Sequence, residues 1–380
     1  MRATISFSLL LALALSGAIQ SCAQTLDPTD PSLPPTLPAM TSPAATLVPS
    51  AAPVVDRPRL RWTPERTIPL DIPVNLSVPV NIVTYNVHLL PDVAAKIAGE
   101  RSQSGYRAGA IAEKLADYDV VGLCEAFDPN YSRTLLDGLQ AESSDAFHVA
   151  RGPERSGRAL IHSGLVLLSR FEIEATHTIT YRNASRFVTH GFRADGFAAK
   201  GALHARLRLD DPTLSDESSM VIDCFLTHLE SRSAQARQRQ IEQLAGFIAE
   251  YSSPDNPVVV MGDFNVAADT ASQAALLNGN SPYRQLRAKL LYNGRQLVDV
   301  WDELEETHGG TSNALAADGG RRLDYIFVSA PRRGDASRLS PRDVLALPFP
   351  DEKVPEGSLS DHLAVACRAE FSAAVEPARR

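Results

Sequence analysis

Five short apolar runs recur between residues 82 and 261, and they limit the fold more than any other feature of the chain. They are Ile82 to Tyr85, Val120 to Cys124, Leu165 to Leu168, Val221 to Leu226 and Val258 to Met261. Each is short and rich in branched residues, as expected of a strand buried on both faces. Between them the apolar residues change period. Ala108, Ile111, Ala112 and Leu115 fall at helical spacing, as do Ile241, Leu244, Ala245 and Ile248. Helices that alternate with buried strands cover their apolar stripes by packing on a sheet, so the chain reads as an α/β protein. It shows no internal repeat.

The core-forming pattern is confined to one stretch. It predicts a compact domain over residues 78–372 and a loose tail over 373–380. Residues 24–70 are crowded with Pro, Thr, Ser and Ala, including Pro28, Pro31, Pro34, Pro35 and Pro38; this composition favours an extended linker over a packed core. Ahead of it, Met1-Arg2, an apolar run from Ile5 to Ile19 and Ser21-Cys22-Ala23 read as a signal peptide over residues 1–23. The run is too short to span a bilayer. Ile19-Gln20-Ser21-Cys22 also reads as a degenerate lipoprotein box. The expectation is therefore export: secreted, periplasmic, or lipid-anchored through Cys22.

Cys124, Cys224 and Cys367 stand far apart in apolar runs and read as buried free thiols, with one disulfide as the alternative in an oxidising compartment. The absence of any C-x-x-C spacing speaks against a structural zinc site. A net charge of −8 gives no broad basic surface for gripping nucleic acid, although a local groove can be basic on an acidic protein. The sequence implies no obligate protein partner.

Polar residues stand where the apolar runs end. Asn86 closes the first, Glu125 the second, His228 follows the fourth, and Asp263 and Asn265 follow the fifth within Gly262-Asp263-Phe264-Asn265. Further on come Arg322-Leu323-Asp324-Tyr325 and Ser360-Asp361-His362-Leu363. Singly, each has a structural reading: a turn, a helix cap or a satisfied core histidine. Together they supply hard oxygen ligands for a divalent cation, and a histidine with an orienting carboxylate to take a proton from water. A binding module that had merely kept such a scaffold would have no need of the whole set.

In this order the segments resemble the endonuclease/exonuclease/phosphatase superfamily, and the likeness covers Asn81 to Ala366. Within it the chain is most similar to bacterial secreted sphingomyelinases. The segments that carry this are Tyr85-Asn86-Val87-His88-Leu89-Leu90, Tyr106-Arg107-Ala108, Asp119 through Glu125-Ala126-Phe127-Asp128, Ser163-Gly164-Leu165, Lys200-Gly201 and Thr227-His228-Leu229. The resemblance implies a four-layer α/β/β/α sandwich of the DNase I-like type. It also implies Mg²⁺ or Mn²⁺ held by Glu125 as principal ligand, within a set of Asn86, Glu125, Asp263, Asn265, Asp361 and His362. His362 would act as general base oriented by Asp324, Asp263 would position the water, Asp263 and Asn265 would hold the phosphate or a second metal, and His228 would stabilise the phosphate and favour departure of the leaving oxygen. The implied partner is a phospholipid at a membrane surface, with sphingomyelin cleaved to ceramide and phosphocholine. The alternatives are a nuclease, for which Arg151, Arg155, Arg158, Arg332 and Arg333 would supply a basic rim, and an inositol-phosphate-type phosphatase. One departure stands out: where such enzymes carry an aromatic membrane hairpin, this chain has Val344 to Pro350, which reads either as an exposed apolar loop or as an edge strand ended by prolines.

Overall fold

The computed structural model describes residues 74–374 apart from 92–102, 144–145, 156–158, 160, 185–197, 210–219, 270–280, 293, 306, 308, 317–318, 332–334 and 336. The expected leader, Cys22, the linker over 24–70, residues 375–380 of the tail, and Arg158, Arg332 and Arg333 lie outside the described residues.

Two sheets form the centre. The first joins, in spatial order, β12 (Ser337–Leu347), β13 (Ala364–Ala374), β1 (Val74–Leu89), β2 (Val120–Ala126), β4 (Val166–Ser169) and β3 (His148–Arg151). The second joins β5 (Glu172–Thr180), β6 (Gly201–Leu209), β7 (Met220–His228), β8 (Val258–Asp263), β11 (Asp324–Ser329), β10 (Arg295–Asp299) and β9 (Leu291–Tyr292). The five apolar runs fall in β1, β2, β4, β7 and β8, and the two helical spacings in α1 (Ser104–Leu115) and α3 (Ala234–Tyr251). Among the described residues the other helices are α2 (Pro129–Glu142), α4 (Pro282–Lys289) and α5 (Val300–Leu304).

The two-residue period of a strand sorts side chains into layers. Val80 and Ile82 of β1 join Leu203, Leu226 and Met261 of the other sheet in a core between the sheets. Val83, Tyr85 and Val87 face the other way, onto Ile111 and Leu115 of α1 and Leu135 and Leu139 of α2. On the far side, Phe225, Val260 and Phe327 pack against Leu244 and Ile248 of α3. The result is the expected α/β/β/α sandwich. Cys124, Cys224 and Cys367 all lie in the central core as free thiols, so the disulfide alternative does not apply among them.

Both ends of the domain differ from the sequence reading. The strand β1 begins at Val74, ahead of the domain boundary expected at residue 78, and β13 runs through Ala374 into the expected tail. Of the two readings of the run from Val344, the structure takes the edge strand: it is the end of β12, paired with β13 through Leu347↔Ala364, with Val344 in the core, and Phe349 just past it packs edge-on against Tyr85 at 5.5 Å. The apolar residues of this run are spent largely on the fold.

Candidate active site

Strand register brings the polar ends together. β7 runs parallel to β8 with His228 opposite Asp263, and β8 runs antiparallel to β11 with Asp263 opposite Asp324. Three titratable groups thus stand in a row at one end of the second sheet. In the first sheet β1 and β2 are parallel, with Asn86 opposite Cys124 and an irregularity just beyond it that turns Glu125 toward the site. The Asn86 amide nitrogen crosses between the sheets, donating to Glu125 Oε1 at 3.0 Å and to Asp263 Oδ2 at 3.1 Å.

The backbone is strained at these points. Glu125 has φ 59°, Asn265 φ 51° and His88 φ 49°, in the left-handed region that non-glycine residues seldom occupy. Such outliers concentrate where a side chain has to be aimed against local preference. Beneath them Gly262, at φ 132°, permits β8 to approach β7: a Cβ there would lie 1.9 Å from the carbonyl oxygen of Thr227.

Asp263 Oδ2 is the hub. It lies 3.5 Å from His228 Nε2 and 4.0 Å from His362 Nε2. On one side Asp263 shares a cluster with Glu125 and His228, and on the other with Asp324 and His362, each within the span of a single bound ion. His362 donates from Nδ1 to Asp324 Oδ2 at 2.8 Å, leaving Nε2 directed toward Asp263. Burial works against charge on this imidazole, but Asp324, by charge and hydrogen bond, with Asp263 and Asp361 beside it, holds its pKa well above the ordinary histidine value. Burial and the neighbouring Asp324 charge raise the Asp263 pKa, which His362 and Lys200 only partly offset.

The arrangement fits a divalent cation. Two carboxylates, Glu125 and Asp263, converge on one amide in a largely buried pocket, and Asp324 Oδ1 nearby is buried with no hydrogen-bond partner among the described residues. Crowded buried anions of this kind call for a countercharge, and oxygen donors suit a hard ion.

Not every expected residue joins the clusters. Asp361, expected beside the metal, lies in neither; its Oδ1 accepts from His88 Nδ1 at 2.8 Å, so that oxygen is already engaged within the protein. Asn265 turns its side-chain amide to the carbonyl of Leu229 at 3.0 Å, and its backbone N–H donates to Asp263 Oδ1 at 2.9 Å. It therefore shapes the turn that presents Asp263. His228, expected to stabilise the phosphate and favour departure of the leaving oxygen, stands in the cluster with Glu125 and Asp263.

Two neighbours were not among the expected site residues. Lys200 is buried and its Nζ donates to His228 Nε2 at 2.7 Å and to the Leu229 carbonyl at 3.3 Å. The Lys200-Gly201 pair at the start of β6 was its sequence signal. His88, two residues beyond Asn86, lay within the Tyr85 to Leu90 segment, but its pairing appears only when the Ser360-Asp361-His362 turn is brought alongside.

The profile of the Endonuclease/Exonuclease/phosphatase family matches residues 83–362. Sphingomyelinase C of Leptospira interrogans is 25% identical over 284 residues, which are 68% of this chain and 45% of that protein, so the chain spans under half the length of this relative. Among solved structures, a mutant beta toxin of Staphylococcus aureus with bound magnesium ions superposes with a TM-score of 0.52 at 16% identity, covering 76% of this chain and 99% of the toxin. TDP2 of D. rerio complexed with a single-strand DNA product gives a TM-score of 0.50 at 18% identity, covering 77% of this chain and 98% of that one. At these identities the two structures show a common fold.

Proposed function

The chain belongs to the Endonuclease/Exonuclease/phosphatase family, and on that premise we propose that it is an exported, Mg²⁺- or Mn²⁺-dependent phosphodiesterase that hydrolyses sphingomyelin to ceramide and phosphocholine. The observation that carries the chemistry is the sharing of Asp263 between the Glu125 cluster and the His362–Asp324 pair. Sphingomyelin as substrate is supported by the similarity to a sphingomyelinase C. Export rests on the sequence of residues 1–23; among the described residues no helix is long and apolar enough to cross a membrane.

Glu125 and Asp263, with Asn86 and His228 against them, would hold the cation. When bound it supplies Lewis-acid polarisation of the phosphoryl oxygens and neutralises charge developing on them. The protein performs the proton transfers. His362 Nε2 takes a proton from the water whose oxygen attacks phosphorus, and Asp324 fixes the ring and stabilises the resulting imidazolium. As the phosphorus–oxygen bond to ceramide breaks, the closely paired Lys200 and His228 hold a proton within reach of the leaving oxygen. Water oxygen ends on phosphocholine and the proton on ceramide, so the step balances.

The test is a substrate panel of sphingomyelin, phosphatidylcholine, plasmid DNA and inositol phosphates, each assayed with Mg²⁺ and with EDTA. Turnover of sphingomyelin that chelation abolishes is the expected result. Preference for DNA would reassign the chain to the nucleases, and preference for a monoester to the phosphatases. Full activity after exhaustive chelation would remove the cation from the mechanism.

A further inference from the structure

We infer that Thr311 is a positioning residue for the His362–Asp324 pair, the oriented donor that fixes the Asp324 carboxylate; this rests on the reading of His362 as general base. Thr311 is fully buried. Its hydroxyl accepts from the backbone N–H of Leu323 at 2.9 Å and of Asp324 at 3.1 Å, and donates to Asp324 Oδ2 at 2.7 Å. A hydroxyl has one proton and two lone pairs. With both lone pairs engaged by the two amides, the proton is left with one direction, and that direction is Asp324 Oδ2.

The same oxygen accepts from His362 Nδ1. Thr311 and His362 therefore meet on one carboxylate oxygen and set the plane of the group between them. The backbone adds a second tie, because the carbonyl of Thr311 accepts from the N–H of Leu363 at 2.8 Å, directly after His362. One residue thus holds both partners, Asp324 through its side chain and the His362 turn through its main chain.

The loop is built to deliver it. Gly309, at φ 60°, passes so close to Trp301 that a Cβ would lie 2.1 Å from the indole ring. The backbone N–H groups of Thr311 and Ser312 both donate to the carbonyl of Arg321 at 2.9 Å. The loop is clamped between α5 and the residues leading into β11.

Thr311 also satisfies two buried amides, so a purely structural role must be told apart from positioning. Thr311→Val keeps the shape and removes the hydroxyl, whereas Thr311→Ser restores it. Turnover of sphingomyelin in detergent micelles with Mg²⁺ is measured alongside Tm and the far-downfield proton resonance of the His362 Nδ1–H bonded to Asp324, assigned by its loss in His362→Ala. Positioning predicts that Thr311→Val lowers kcat about 10- to 100-fold, the usual cost of losing an outer orienting partner, with KM little changed and the downfield proton shifted or lost. Thr311→Ser should remain within about threefold of wild type, since the oriented hydrogen bond is kept.

A folded Thr311→Val protein with wild-type kcat and an unmoved proton overturns the inference, as does equal loss in Val and Ser, which would place the effect in the methyl group. If Thr311→Val does not fold at the assay temperature, Thr311→Ala at lower temperature is read by the same resonance, and an unchanged signal decides against positioning. The parent reading fails separately: wild-type turnover in His362→Ala rejects the base whatever Thr311 does. If sphingomyelin is not the substrate, the resonance still decides the role of Thr311.

Discussion

Asp263 illustrates how much of this site hangs on individual atoms. A single oxygen faces Asn86, His228 and His362, so in the proposed mechanism the residue would link the groups that hold the cation to the group that moves the proton. His362→Ala should reduce kcat by about 100- to 10,000-fold with the fold intact, the range for a lost general base. Asp324→Asn should be milder, because it keeps a group at hydrogen-bond distance and loses only the charge that favours imidazolium. Retention of more than about a tenth of wild-type turnover in His362→Ala lies outside that range and would move the role to His228. A second prediction separates the carboxylates. Because His88 already pairs with Asp361, Asp361→Asn should leave Mg²⁺ affinity by calorimetry within a few-fold of wild type, whereas Glu125→Gln should weaken it at least tenfold, as losses at a metal shell do. Equal weakening in both would return Asp361 to the ligand set. The strand-end residues were legible because a polar group directly after a buried run has to emerge at the sheet's rim. The His88–Asp361 and Lys200–His228 pairs were not, since each joins segments that only the fold brings together.

At the scale of the elements, position in the sheet decided what could be read. β1, β2, β4, β7 and β8 are buried on both faces and announce themselves as apolar runs. β6 hides because His204, Arg206 and Arg208 interrupt its alternation, and those residues are accommodated by partners across the sheet: His204 and Arg206 both bond Asp223. The end of β12 stayed ambiguous between strand and loop because an edge strand alternates between core and water, with Val344 buried and Leu345 48% exposed. Leu345 within it and Phe349 just past its end should therefore respond differently. Leu345→Ser should leave Tm nearly unchanged, as exposed substitutions do, while Phe349→Ser, which removes the ring packed on Tyr85, should cost about 2 kcal/mol or more. Equal and small effects would restore this run to the status of a free surface loop. The tight pairing of β7 with β8 gives a further prediction. Gly262→Ala puts a methyl into the space of the Thr227 carbonyl at a φ hostile to side chains, and should destabilise by roughly 3 kcal/mol in chemical denaturation, because strain and overpacking act together. A Gly262→Ala protein as stable as wild type would mean that the two strands separate here at little cost.

For the whole molecule, the sandwich places charged groups at the rim where two sheets meet, and with the proposed cation this would make its stability a function of pH and of the ion together. Three groups set the signs. Partial burial opposes the charge of Asp361, but His88, by charge and hydrogen bond, with His362, depresses its pKa, so its contribution is present above the ordinary carboxylate value of about 3.9 and is lost as pH falls below it. His362 is raised, so its contribution is complete below about pH 6.5 and is lost as pH climbs through its higher folded value. Asp263 is raised as well, mainly by burial and then by Asp324; the folded protein prefers it protonated, and its ionisation costs stability increasingly above the ordinary carboxylate value. Without a cation, the last two make the protein less stable as pH rises from weakly acid to alkaline. Cation binding requires the ionised carboxylate and is opposed by the proton on His362, so it should offset this loss most where the loss is greatest. The difference in Tm between Mg²⁺ and EDTA should therefore be larger at pH 8 than at pH 5.5, approaching about 2.7 kcal/mol of stabilisation when the ion is at a hundred times its dissociation constant. Scanning fluorimetry of the full chain at both pH values reads it directly. Asp263→Asn removes the titrating ligand and should abolish the pH dependence of the Mg²⁺ effect along with most of the effect itself. An Mg²⁺ shift of equal size at both pH values, or one that survives in Asp263→Asn, would place the stabilising ion somewhere other than this rim.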